Sequence, residues 1–245
     1  MKVKMERTSG RTRGRMKETK QKLRLPIRKF EFEGGCLKKR RHSKLLPNFV
    51  RALIVGPSNC GKTNLMLSLL VDPNGLKFEN VYLFSKTTDQ PKYQHLEKIL
   101  GGVKGIGFYV YKGVQLKAEE IKKNSVCIFD DVMTENQKLI RDCFSMGRHL
   151  GPLDVFELGQ TYSKFEKQLI RDNANLIILF KMDEMNLRHA YNDHVAADMT
   201  FQEFQEMCNF CWKEPHGFIL IDKESPKENG GYRKGLDNYI SLSGD

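Results

Sequence analysis

GPSNCGKT, residues 56–63, is the stretch that decides the fold. It fits G-x-x-x-x-G-K-[ST] at every fixed position. Gly56 and Gly61 let backbone amides curl around phosphate oxygens without a side-chain clash. Pro57, Ser58, Asn59 and Cys60 fill the loop between them. Lys62 carries a point charge for the β- and γ-phosphates. The Thr63 hydroxyl is suited to hold Mg²⁺. The flanks agree with the motif. Arg51–Val55 (RALIV) is a short apolar run ahead of the loop, and 62–70 reads as a helix whose positive N-terminal end faces the same phosphates.

Further out, apolar runs alternate with helical stretches. VYLFS (81–85), GFYVY (107–111), VCIFD (126–130), LDVFEL (153–158), LIILF (176–180) and GFILI (217–221) read as strands. Helices are predicted over 134–149, with Thr134 as N-cap, and over 163–171, 183–193 and 201–212. Thr200 and Glu203 form a capping box for the last of these. This alternation implies βαβ units and a mostly parallel sheet covered by helices on both faces. No internal repeat is visible.

Two further sites complete a hydrolytic set. VCIFDDV (126–132) is a buried strand tipped by Asp130 and Asp131. The first carboxylate is placed to bind the Mg²⁺ shell and the second to take a proton from attacking water. Gln160, just past the next strand, falls on the same rim of a parallel sheet, where a carboxamide can orient water or sense the γ-phosphate. An arginine lent by a neighbouring subunit would assist phosphoryl transfer. Arg148 is the first candidate and Arg171 the second.

GPSNCGKT, IFDDV, GRHLGPLDVFELGQTYSK and LIRDNANLIILFK together resemble the genome-packaging ATPases of poxviruses and their relatives. Those relatives include virophages, adintoviruses and Polinton elements, a branch of the FtsK–HerA superfamily of DNA motors. YNDHVAADMTFQEF (191–204) resembles the Polinton and adintovirus versions in particular. The resemblance runs from about Phe49 to Ile221. It implies an α/β P-loop NTPase of the ASCE or RecA-like type, with the sensor strand between the phosphate-loop and acidic strands. It implies ATP and Mg²⁺ as cofactors, and hydrolysis coupled to double-stranded DNA in a homo-oligomeric ring of five or six subunits, with the capsid vertex as a further partner. The virion and the host cell, in nucleus or viral factory, are the implied locations. Lys62, Thr63, Asp130, Asp131, Gln160 and Arg148 are the positions that carry the family's site. Many superfamily members have Glu where this chain has Asp131, one methylene shorter.

Charge supports a polyanionic partner. Residues 1–51 hold 18 Lys/Arg and 4 Asp/Glu, so the net +11 of the 245-residue chain sits in an arm of +14 against a body of −3. Such arms meet nucleic acid; a solubilising tail is the alternative. KKRRHSK (38–44) reads as an import signal or as a phosphate-contacting loop. The expected division is a basic, disordered arm over 1–46, an ATPase domain over 47–222 and a tail over 223–245. No run of 18 apolar residues predicts a membrane span. Nor do six cysteines, or a basic N-terminus without an apolar block, suggest a secreted disulfide scaffold; a soluble intracellular protein is expected. Cys208 and Cys211, with His189 and His194 upstream, spell a lone CxxC that can bind zinc or share one helix face.

Two rival functions fit the same residues. One is a P-loop ATPase of viral or element DNA replication or integration. The other is an ATP-gated DNA- or capsid-binding protein with little turnover, against which the paired Asp130 and Asp131 argue.

Overall fold

A computed structural model describes residues 40–146, 152–227 and 229–240. Among these, nine strands form one sheet. The first six are β1 (Arg51–Val55), β2 (Asn80–Ser85), β3 (Gly107–Lys112), β4 (Ser125–Asp130), β5 (Leu153–Gly159) and β6 (Leu176–Phe180). They are joined by β7 (Phe218–Asp222), β8 (Tyr232–Lys234) and β9 (Asn238–Tyr239). The order across the sheet is β3-β2-β4-β5-β1-β6-β7-β8-β9. The first six strands pair in parallel; β7, β8 and β9 add antiparallel at one edge. Strand β5 therefore stands between the phosphate-loop strand β1 and the acidic strand β4, as the resemblance implies.

Alternation along each strand sends side chains to two cores. Ala52 and Ile54 of β1 meet one face, and Leu53 and Val55 the other. On the first face, α1 (Lys62–Val71) buries Leu65, Met66, Leu69 and Leu70. Beside it α2 (Pro91–Gly101) buries Tyr93, Leu96 and Leu100 at helical spacing. The second face takes α3 (Lys138–Met146), α4 (Glu184–His194) and α5 (Phe201–Cys211). The capping box forms as expected: Thr200 Oγ1 accepts from the Glu203 amide at 3.3 Å, and Glu203 Oε2 accepts from the Thr200 amide at 2.7 Å.

Three local expectations need correction. The helix expected from 134 begins at Lys138, because 132–137 is held as a turn by Glu135 N to Val132 O at 2.9 Å, and Asn136 Oδ1 takes the Lys138 amide at 3.0 Å. The helix expected over 163–171 is broken. A 3₁₀ turn at Tyr162–Lys164 and a π-helical turn at Lys167–Arg171 flank extended Phe165 and Glu166. Phe165 is buried in the core and Glu166 is ion-paired to Arg141, so tertiary contacts outweigh local helix preference. Beyond the last expected strand, β8 and β9 carry the sheet past residue 222. They are fixed by Arg233, 1% exposed, which bonds Asp222 Oδ2 (2.7 Å) and the carbonyls of Gly230 (2.8 Å) and Leu45 (2.5 Å).

Part of the basic cluster also belongs to this body. Arg41 pairs with fully buried Asp154 at 2.9 Å, and the buried His42 ring lies 3.1 Å from the same carboxylate. Asp154 also takes the Val50 amide at 2.9 Å. These two residues are thus anchors rather than free contacts for phosphate. No helix among the described residues is long and apolar enough to cross a membrane.

Candidate nucleotide site

The loop after β1 takes the shape its glycines allow. Gly56 donates its amide to Gly159 O at 3.1 Å, tying the loop to the end of β5. A Cβ on Gly56 would stand 2.6 Å from the Phe180 Cβ, so no other residue fits there. Asn59 (φ 62) and Gly61 (φ 116) are left-handed, which turns the chain into α1. Lys62 folds back over the loop, its Nζ donating to Gly56 O at 2.7 Å and Pro57 O at 2.9 Å.

Because the strands are parallel, their C-terminal ends deliver the remaining groups to the same rim. A cleft of about 160 Å³ is lined by Ser58, Asn59, Gly61, Lys62 and Thr63 on one side. Asp130 and Asp131 close it from β4, and Gly159 and Gln160 from β5. The structure thus brings together five residues singled out in the sequence: Lys62, Thr63, Asp130, Asp131 and Gln160. Asp131 and Gln160 are exposed to the cleft, and Asp131 is itself left-handed (φ 56), its amide 3.3 Å from Leu158 O. Pro57 and Cys60 face a different cavity, on the other side of the loop. The Cys60 thiol is raised by burial, which keeps it protonated.

The segment after β2 supplies what sequence reading missed. Thr87, Gln90 and Lys92 line the cleft, and Tyr93 reaches in from α2 to donate its hydroxyl to Asp130 Oδ2. The signal was faint: a polar stretch, KTTDQPKY (86–93), whose Pro91 suits the first turn of a helix. Burial raises the Asp130 carboxyl, while the Tyr93 hydrogen bond and the Lys62 charge pull it back down. Burial foremost, and then Asp130, keep the Tyr93 phenol protonated, so it remains a donor.

A Thr hydroxyl and one carboxylate are hard oxygen donors, the set that Mg²⁺ takes when phosphates and waters complete its shell. Thr63 and Asp130 fit that ion. Among the described residues no three His, Cys, Asp or Glu side chains converge as a metal site of their own. Cys208 and Cys211 pack into the core from α5, and His194 Nε2 lies 2.8 Å from the Tyr162 hydroxyl. Arg148 lies outside the described residues. Arg171 is committed inside the fold, with Nη1 on Asp193 Oδ2 at 2.6 Å and its guanidinium 5.2 Å from the Tyr162 ring centroid.

No protein-family model matches the sequence, and no curated protein does. Solved structures do. The genome packaging NTPase B204 from Sulfolobus turreted icosahedral virus 2, in complex with ATP-gammaS, aligns with TM-score 0.51 and 15% identity over 78% of this chain and 98% of its own. Its complex with sulfate gives 0.50 and 14% over 79% and 98%, and its complex with AMPPCP 0.50 and 14% over 78% and 98%. The fold is that of a P-loop NTPase. At such identity the likeness speaks for the fold alone.

Proposed function

We propose that the chain is an ATPase motor of viral genome packaging: it hydrolyses ATP to ADP and phosphate and moves double-stranded DNA. One observation carries the reading. Lys62 and Thr63, across from Asp130, Asp131 and Gln160, line a single cleft at the mouth of the phosphate loop. A protein that only bound nucleotide would have no use for the second carboxylate.

The residues act as follows. Lys62, relieved of the Gly56 and Pro57 carbonyls, moves its charge to the β- and γ-phosphates, while the loop amides and the α1 N-terminus hold the remaining oxygens. Thr63 and Asp130 would hold Mg²⁺, and the ion would supply positive charge against the phosphoryl group being transferred. Asp131 accepts the proton of the attacking water and Gln160 orients that water. An arginine from a neighbouring subunit, Arg148 in this reading, completes the site, which makes a homo-oligomeric ring of five or six subunits the working form. Duplex DNA is held through its phosphates by the basic residues of the arm, without base readout. The packaging role, the capsid vertex as partner and the virion as location rest on the sequence resemblance, and the packaging role also on the B204 genome packaging NTPases that share the fold.

Steady-state ATP hydrolysis with and without duplex DNA, beside Lys62→Ala, tests this. Turnover that rises with DNA and vanishes in the variant is expected. ATP binding without turnover in an oligomeric preparation, DNA present, would overturn it.

A further inference from the structure

A cavity distinct from the catalytic cleft lies behind the phosphate loop. It measures about 380 Å³, and its lining includes Pro57, Cys60, Phe180, Trp212, Pro215 and His216 beside the charged Lys181, Lys213 and Glu214. That volume is in the range of small-ligand pockets. The loop is its wall. Ser58, Asn59 and Gly61–Thr63 face the catalytic cleft, whereas Pro57 and Cys60 face this side. A nucleotide with its phosphates in the loop must send its other half out of the cleft, because the space before Asp131 and Gln160 is needed by water.

The cavity is built of rings held in place. Phe180 ends β6 and packs against Gly56 and Gly61. The Trp212 indole is fixed by Nε1 donating to Leu179 O at 2.9 Å. The turn carrying Pro215 and His216 closes with Gly217 N on Glu214 O at 3.0 Å. His216 sits in the left-handed region at φ 61, and its Nδ1 donates to Cys60 O at 3.0 Å. That bond joins the turn to the phosphate loop itself and leaves Nε2 able to accept.

We propose that this cavity binds the planar base of the nucleoside triphosphate, stacked among Trp212, Pro215 and His216. The assignment rests on the nucleotide-binding reading above and adds to it the residues that tell a nucleotide from bare polyphosphate.

Trp212 is the sole tryptophan of the chain, so its emission reports this cavity directly. The full chain is titrated with ATP and, separately, with inorganic tripolyphosphate, both with Mg²⁺, following tryptophan emission and binding heat. ATP is expected to change the emission and tripolyphosphate to bind with the emission unchanged. His216→Asn tolerates the left-handed backbone, keeps an amide donor for Cys60 O and removes only the ring; it should weaken ATP binding roughly tenfold and leave tripolyphosphate binding as it was. Silent emission at saturating ATP, or equal loss of both ligands in the variant, overturns the base site alone. Absence of heat from both ligands overturns the nucleotide reading and this site with it.

Discussion

Glu157→Gln replaces a buried, unpaired carboxyl with a side chain of the same outline. Glu157 lies in β5, in register with Leu53 of β1 and Phe129 of β4, and is 1% exposed. Neither carboxyl oxygen has a hydrogen-bond partner. Burial first, and then the nearby Glu166 charge, push its carboxyl from 4.5 up to about 8. The sign follows from proton counting. Between those values the folded chain keeps the proton and the unfolded chain has released it, so stability is intact below pH 4.5 and falls as pH rises toward 8. Each pH unit removes about 1.4 kcal/mol, and the whole window about 5 kcal/mol. Glutamine has the same outline and never ionises. At pH 5 the variant should therefore lie within about 1 kcal/mol of the parent. By pH 8 it should be several kcal/mol more stable, a rise in Tm of about 10 °C for a chain of this size. Scanning calorimetry of both proteins from pH 5 to pH 8 isolates the residue, because titrations uncoupled from it cancel in the difference. Parallel curves of Tm against pH would refute the argument.

Tyr93→Phe removes the donor to Asp130, a hydrogen bond to a charged group worth about 1.5–3 kcal/mol. The Mg²⁺ concentration for half-maximal nucleotide binding should rise tenfold or more, and an unchanged value would show that Tyr93 only packs. Arg233→Met leaves buried Asp222 without its cation and should cost about 3–5 kcal/mol, read as a lower urea midpoint; a loss under about 1 kcal/mol would argue against that pair as the clasp of β7 and β8. Gly159→Ala drives a Cβ to 2.6 Å from the Phe165 ring and nearer still to the Met133 methyl. Overpacking of about 1–3 kcal/mol should appear in Tm, with weaker ATP binding because the Gly56–Gly159 bond is displaced; full affinity in a destabilised protein would separate the two effects. Asp131→Asn should abolish turnover while nucleotide binding persists, and normal turnover would remove Asp131 as the base.

What was legible in the sequence is what local chemistry dictates. Gly56, Gly61, Lys62 and Thr63 answer to one phosphate-binding geometry, so their spacing alone placed them. Asp130 ends an apolar run, and Thr200 with Glu203 meets a capping rule that spans four residues. What stayed hidden depends on partners distant in the chain. Tyr93 is three apolar residues' worth of helix in a polar stretch, and its role exists only because Asp130 is beside it in space. Phe165 and Glu166 break a helix that their own sequence would support, through Gly159 and Arg141. Arg233 and Arg41 look like surface cations until buried Asp222, across the β7–β8 pairing, and buried Asp154, 113 residues on, are brought up against them.

The grip of Asp154 on Arg41 and His42 has a mechanical side. Asp154 is the second residue of β5, and Gln160 follows directly on the last, so the anchor and the cleft occupy opposite ends of one strand about 20 Å long. Tension applied to the chain ahead of Arg41 meets the sheet at Asp154. From there it runs lengthwise through a rod braced by parallel neighbours on both sides, with its far tip beside the phosphates.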